Sequence, residues 1–304
     1  MTSAHSHLAT PRATWRDYLT LTKPKVISLL LVTTIGAMFV AAKGFPGWVA
    51  LIGMLVGGYM SAGAAGVYNM LYDRDIDLRM KRTAKRPTVT SVIPLRNVVA
   101  FAVILTVLSF VIIALTSNVL AASLSLAGIG FYVFIYTMWL KRTTWQNIVI
   151  GGAAGAIPPL VGWAAVTNDL SIMAWFLFAL IFLWTPVHFW ALALMIKEDY
   201  RKVGIPMAPL VIGDKNTVLQ MIVYTILTIA SSIIPFFMNE FSAVYLVAAV
   251  ALNLLLAWRM NNLYQVVKAG KTIDRASALP LYKFSMLYLF LLFLVMSLDR
   301  AFFV

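Results

Sequence analysis

The chain has 304 residues, 62% of them hydrophobic and 12% charged, with 24 Lys and Arg against 11 Asp and Glu and a formal net charge of +13. This composition excludes a soluble domain, because apolar runs of membrane-spanning length recur from end to end. Cysteine is absent, which excludes disulfides and thiolate metal sites. The basic excess sits in alternate loops, the pattern of membrane topology and not of a nucleic-acid-binding face.

Residues 1–22 read as a cytoplasmic arm with no apolar core, so no cleaved signal peptide is expected. His5 and His7 within the arm read as incidental. Lys23-Pro24-Lys25 opens the first span, and proline is tolerated in a first helical turn because its missing N–H has no partner there. Residues 23–304 are expected to form one intramembrane domain, an all-α membrane protein of nine transmembrane helices. The spans are predicted over 25–42, 47–71, 95–116, 118–139, 147–166, 171–195, 216–238, 242–262 and 279–298.

At the end of span two stands Asn69-Met-Leu-Tyr-Asp73-Arg-Asp75-Ile-Asp77, followed by the basic run Arg79 to Arg86. On a helix, residues four apart share a face, so Asn69, Asp73 and Asp77 make one polar row drifting by roughly 40° per step, with Asp75 turned roughly 200° from Asp73. Close carboxylates repel, and a cation between them relieves the repulsion. Hard oxygen ligands suit Mg²⁺, which uses few carboxylates together with substrate phosphates. Arg82 and Arg86, one turn apart, add the fork-shaped donors that phosphate oxygens favour. A charged loop between spans is ordinarily a solvated positive-inside segment. The Asn-x-x-x-Asp-x-x-x-Asp spacing leading into Arg-Thr-x-x-Arg-Pro favours the metal–diphosphate reading over that one.

Further along, Lys141 and Arg142 follow span four. Lys197, Arg201, Lys202 and Lys215 follow span six, and Arg259, Lys268, Lys271 and Arg275 follow span eight. Only Lys43 and Arg300 fall on the other side, with Lys283 just inside span nine. The alternation predicts a cytoplasmic N-terminus. The long loops after spans two and six both begin with acids, the second with Glu198 and Asp199. That spacing predicts pseudo-duplicated four-helix units plus one further helix around a central cavity. The second acidic copy is degraded, since aligning Asp199 with Asp73 puts Met195 and Val203 where Asn69 and Asp77 stand. In span five, Gly151-Gly152, Gly155 and Pro158-Pro159-x-x-Gly162 predict close helix contact and a break. In span six, His188 is either functional or a structural imidazole bonded to a neighbouring hydroxyl or freed carbonyl.

Mg²⁺-diphosphate at the mouth of an apolar cavity implies an amphiphilic diphosphate with a polyisoprenoid tail. Metal and arginine groups would stabilise the departing diphosphate, aromatic faces the allylic cation, and exclusion of water would protect that cation.

The acidic row, Arg82-Thr83-x-x-Arg86-Pro87 and the nine-span duplication resemble the intramembrane prenyltransferases typified by 4-hydroxybenzoate polyprenyltransferase. Thr22-Lys23-Pro24, Lys141-Arg142-Thr143 running to Pro158-Pro159, Trp184-Thr185-Pro186-x-His188-Phe189-Trp190 and Lys197-Glu198-Asp199-Tyr200 running to Met207 resemble the protohaem IX farnesyltransferase (haem O synthase) branch. The resemblance covers roughly residues 20–300. It implies that farnesyl diphosphate ionises at Asp73, Asp77 and Mg²⁺, with Asn69, Arg82 and Arg86 holding the diphosphate. Lys197, Asp199 and Lys202 would complete the other side. The 2-vinyl group of haem b (protohaem IX) would attack the farnesyl carbon, and water would capture the resulting cation to give haem O. Lys141 or Arg142 would meet haem propionates, and His188 the iron or the macrocycle. It further implies a multi-pass protein of a bacterial inner membrane, in contact with membrane lipid, with its mouth on the cytoplasmic side. Its product would pass to a haem A synthase or a terminal haem–copper oxidase. Two other functions compete: prenylation of a quinone-precursor aromatic acid on the same scaffold, and a nine-span transporter whose acids line an ion path.

Overall fold

The computed structural model describes residues 13–303; His5 and His7 lie outside them. Among the described residues nine helices are long and apolar enough to cross a membrane: α1 (Pro24–Ala42), α2 (Trp48–Tyr72), α3 (Leu95–Thr116), α4 (Val119–Thr143), α5 (Asn147–Thr167), α6 (Ile172–Met195), α7 (Gly213–Phe237), α8 (Ala243–Lys268) and α9 (Arg275–Phe302). Hydropathy locates their centres well. The last three run further into the loops than apolar content indicates, because a helix continues through polar residues that water can solvate. Pro24 occupies the first turn of α1.

Each helix packs on the next in sequence, and α9 closes the ring against α1 while also touching α6; α1 additionally crosses α5. The neighbour pairs α1–α2, α2–α3 and α3–α4 have counterparts in α5–α6, α6–α7 and α7–α8. This is the expected duplication of a four-helix unit, with α9 as the additional helix.

In lipid the apolar effect does not draw one helix to another, so close backbone approach at small residues does that work. Gly53, Gly57 and Ser61 recur every four residues on α2. A Cβ at Gly53 would sit 2.0 Å from Thr116 Oγ1, and one at Gly57 would sit 2.6 Å from Ile113 Cγ1, so α3 lies directly on that stripe. The opposite face of α3, with Val103, Ile104 and Val107, is exposed where lipid would cover it.

Three departures from expectation bear on the site. The described part of the 1–22 arm is the helix Trp15–Thr22, whose Leu21 and Thr22 are buried against α2. The predicted break in span five is absent: α5 runs unbroken through Pro158 and Pro159. Proline removes a backbone bond to the residue four earlier, here the carbonyls of Ala154 and Gly155, and both residues line the cavity instead of meeting lipid. Lastly, Phe131–Leu140 within α4 is π-helical, a wide turn often found at functional sites.

Candidate active site

α2 ends at Tyr72, Asp73 forms its C-cap, and the short helix Arg74–Asp77 follows. The backbone bonds Asp73 N–H to Asn69 O (2.9 Å) and Asp77 N–H to Asp73 O (2.8 Å) carry the four-residue spacing across the junction. The polar row therefore survives although the helix does not run straight through. Asn69, Asp73 and Asp77 are buried. Asp75 is exposed on the other side, as the helical angle requires.

Both buried acids of the row have cations. Lys141 Nζ pairs with Asp73 Oδ2, Arg142 Nη2 lies 3.6 Å from Asp73 Oδ1, and Arg86 Nη1 is 2.5 Å from Asp77 Oδ2. Arg142 also grips Asp75 at 2.7 Å and packs 4.7 Å from the Tyr72 ring centroid. The hydrogen bond from Arg142, more than its charge, holds the Asp75 carboxyl below the usual carboxylate range. Lys141 and Arg142, whose expected role is to meet haem propionates, are thus engaged with the acidic row.

Asn69 is oriented by every polar atom it has. Its Nδ2 donates to Asp73 Oδ2 (2.8 Å) and Thr137 Oγ1 (3.0 Å), and its Oδ1 accepts from Lys23 Nζ (2.6 Å). Thr137 is placed by the π-helical segment, where its hydroxyl donates to Tyr132 O at 2.8 Å. Burial pushes the Lys23 ammonium down to about 7, helped by repulsion from Arg86 and Lys141 and opposed by Asp73 and Asp77. Sequence alone does not single out Lys23 or Thr137 as site residues. The signal for Lys23 is its place in Thr22-Lys23-Pro24; Thr137 gives none.

The second loop approaches the first. Arg79 Nη2 donates to Lys202 O at 2.8 Å. The Tyr200 hydroxyl is pushed up chiefly by burial, with Arg82 and Arg86 opposing and Asp73 reinforcing. Lys197 pairs at 2.6 Å with Asp214, in the first turn of α7, and Lys202 lies 3.7 Å from Asp199. Asp214 lies beyond the short acid-bearing stretch that spacing marks as the degraded copy. Arg82 is exposed beside the mouth.

Below this cluster lies a cavity of about 380 Å³. Lys23, Gly66 and Tyr132 stand at its polar end, and Thr34, Met54 and Val161 at its far end. At a rise of ~1.5 Å per residue, Gly66 to Met54 spans about 18 Å along α2. Tyr132 and Tyr136 stack at 5.3 Å on one wall. The opposite wall carries Trp184, His188 and Tyr282.

Among the described residues no group of three His, Asp or Glu side chains could alone hold a metal. Two carboxylates and an amide do suit Mg²⁺, whose remaining ligands come from water and phosphate. Asp73 Oδ1 fits that role: it is buried and, among the described residues, accepts no hydrogen bond. A buried carboxylate oxygen without a donor is costly unless a cation completes it.

The profile of the UbiA prenyltransferase family matches residues 30–298. The protoheme IX farnesyltransferase of Deinococcus radiodurans is 58% identical over 299 residues, covering 96% of this chain and 95% of that protein. A Thermus thermophilus protein of the same name is 56% identical over 295 residues, covering 97% of this chain, which spans 48% of that longer protein. A digeranylgeranylglyceryl phosphate synthase structure superposes with a TM-score of 0.76 at 18% identity, covering 94% of this chain and 98% of that one. A UbiA homologue from Archaeoglobus fulgidus, bound to DMAPP and Mg²⁺, superposes with a TM-score of 0.67 at 17% identity, covering 92% and 99%. The chain belongs to the UbiA prenyltransferase family and, within it, stands among the protoheme IX farnesyltransferases.

Proposed function

We propose that this chain transfers the farnesyl group of farnesyl diphosphate to the 2-vinyl group of haem b, with addition of water, giving haem O and diphosphate. The observation that supports the reading best is the buried Asp73 Oδ1, which among the described residues accepts no hydrogen bond and has only Arg142 Nη2 3.6 Å away, beside Lys141 and the Lys23–Asn69 pair at the mouth of an apolar cavity. The protoheme IX farnesyltransferase relatives support the choice of substrates.

Mg²⁺ held by Asp73, Asp77 and Asn69 would supply Lewis-acid stabilisation of the leaving diphosphate. The chain's own residues supply the rest. Arg86, Lys141 and Arg142 pair with the acids and Lys23 with Asn69, and all four would hold the oxygens of the diphosphate. Arg82, Lys197, Asp199 and Lys202 close the mouth from the two loops. Heterolysis of the C1–O bond sends the electron pair to diphosphate. The π electrons of the vinyl group then form the carbon–carbon bond to C1. The cation left on the macrocycle side takes water and releases a proton to solvent. Tyr132 and Tyr136 present ring faces that stabilise allylic positive charge, and the apolar walls keep water from the cation until the carbon–carbon bond has formed. The basic loops around the acids support a mouth on the cytoplasmic side of a bacterial inner membrane. The membership of this chain in a prenyltransferase family speaks against transport.

The test is incubation of the protein in lipid nanodiscs with haem b, farnesyl diphosphate and Mg²⁺, followed by mass spectrometry of the extracted haem. Haem O that appears only with all three supports the reading. Prenylated 4-hydroxybenzoate in a parallel incubation without haem O would replace it with quinone-precursor prenylation.

A length prediction follows from the cavity. Met54 is fully buried at its far end, facing the acidic row along α2. Met54→Ala is expected to deepen the tail pocket and raise kcat/KM for geranylgeranyl diphosphate relative to farnesyl diphosphate by at least about 10-fold, the low end of what one methylene is worth in an apolar pocket. An unchanged ratio in competition assays would remove Met54 from the tail pocket.

A further inference from the structure

We propose that His188 Nε2 is the axial ligand to the iron of the haem substrate, and that Ser285 is a positioning residue holding the imidazole in the tautomer this requires. The inference rests on the haem reading above and specifies how that substrate is held.

A serine hydroxyl has one proton to donate. Ser285 Oγ spends it on Tyr282 O, at 2.8 Å. With the proton placed there, the same oxygen accepts in its 2.8 Å contact with His188 Nδ1, the arrangement in which Nδ1 carries the ring's hydrogen. In a neutral imidazole Nε2 then bears the lone pair. Among the described residues Nε2 has no hydrogen-bond partner.

The ring cannot easily turn away. Trp184 stacks on one face at 4.6 Å and 13°, and Tyr282 on the other at 4.8 Å and 22°. Trp184 is itself fixed by its indole N–H donating to Ser285 O at 2.9 Å. Phe189 meets the imidazole edge-on at 5.3 Å. With both faces and Nδ1 occupied, the edge bearing Nε2 is what His188 contributes to the cavity wall. Nε2 opens on the cavity and is not sealed in the core, so its lone pair is free to meet a ligand there. Metal-bound histidines donate the second ring N–H to a fixed acceptor, which sets tautomer and direction. Neutral imidazole is also a standard iron ligand in haem proteins. Depth agrees. His188 lies about 10 Å inward from Met195 at the end of α6, and Gly66 lies about 9 Å inward from Tyr72 at the end of α2. Iron bound at Nε2 would thus sit level with the start of the tail pocket, where the reacting carbon lies.

The experiment is titration of ferric haem b into the protein in nanodiscs, read by the Soret band and by low-temperature EPR. Wild type, His188→Gly, His188→Gly with free imidazole, Ser285→Ala and Ser285→Thr are compared. Wild type should saturate with a nitrogen-ligated spectrum. His188→Gly should lose that signature and bind roughly 10-fold more weakly, and free imidazole should restore the signature. Ser285→Ala should weaken binding several-fold and broaden the spectrum, with Ser285→Thr close to wild type. Saturable binding with the same spectrum in wild type and His188→Gly would overturn the ligation while leaving the haem reading standing. A lost signature that imidazole does not restore would also overturn it, as would a Ser285→Ala spectrum and affinity identical to wild type for the positioning role. Absence of saturable binding in folded wild type would sink both the ligation and the haem reading.

Discussion

Asp73→Asn is expected to lower the rate of prenyl transfer by at least about 100-fold, the scale on which loss of one preorganised electrostatic group slows a reaction that develops charge. The carboxylate is fully buried, takes Lys141 on one oxygen and leaves the other without a hydrogen bond, 3.6 Å from Arg142 Nη2. An amide of the same shape can accept from Asn69 but brings no charge, so neither the cations nor a divalent ion keep their counterpart. Breaking one side of a buried ion pair also costs stability, about 3–5 kcal/mol in other proteins, so rate and folding must be separated. Two measurements do so: thermal melting of the variant in nanodiscs, and single-turnover rates at saturating Mg²⁺ and diphosphate. Asp77→Asn should behave similarly, since Arg86 depends on it at 2.5 Å. Asp75→Asn serves as the internal contrast. Asp75 is exposed and its partner Arg142 can still reach Asp73, so the rate should stay within about twofold, as for surface ion pairs. Folded Asp73→Asn protein with the wild-type single-turnover rate would mean that the acidic row does not hold the leaving group.

That contrast between Asp73 and Asp75 is readable from the sequence, because it follows from helical geometry alone. So are the nine spans and the side of the membrane each charged loop shares with the others, since both are local and periodic. Partners far apart in the chain are not. Lys141 and Arg142 come from the last turn of α4 to reach Asp73 and Asp75, yet a basic pair at the end of a span looks the same whether it faces lipid headgroups, a propionate or an acid. Thr137 reaches Asn69 only because α4 widens into π-helix, and nothing in Phe131–Leu140 announces the change of pitch. Lys197 offers a third case. Duplication points to an acid at the matching place in the second loop, but the chain uses Asp214, further on, at the first turn of α7. His188 is legible as a choice between two roles; the hydroxyl that orients it, Ser285, lies on α9 and cannot be paired with it by spacing.

Gly162→Ala is expected to prevent α1 and α5 from closing, and to lower the thermal midpoint by roughly 5 °C or more. In an exposed helix this change would be favourable by about 1 kcal/mol, because alanine has the better helix propensity. Packing reverses the sign. A Cβ at Gly162 would stand 2.1 Å from Thr34 O and 2.9 Å from Thr34 C, both backbone atoms of α1, and 3.3 Å from Ala37 Cβ. A side chain can swing aside, but a helix backbone moves only by carrying its neighbours with it. The usual overpacking cost of about 1–3 kcal/mol is therefore the lower end of what applies here, and about 3 kcal/mol corresponds to roughly 5 °C at this chain length. Gly155→Ala is the control on the same helix: its Cβ would meet nothing within 4 Å, because that position opens on the cavity. It should melt at or above the wild-type temperature. The damage from Gly162→Ala should also reach the chemistry, since Thr34 and Val161 flank the contact and line the cavity floor. Prising α1 from α5 would widen the floor and admit water to the cation. Any folded fraction should then form hydrolysed farnesol at the expense of prenylated haem. A Gly162→Ala protein that melts with the wild type and keeps its product ratio would mean that α1 and α5 do not meet backbone to backbone at this glycine.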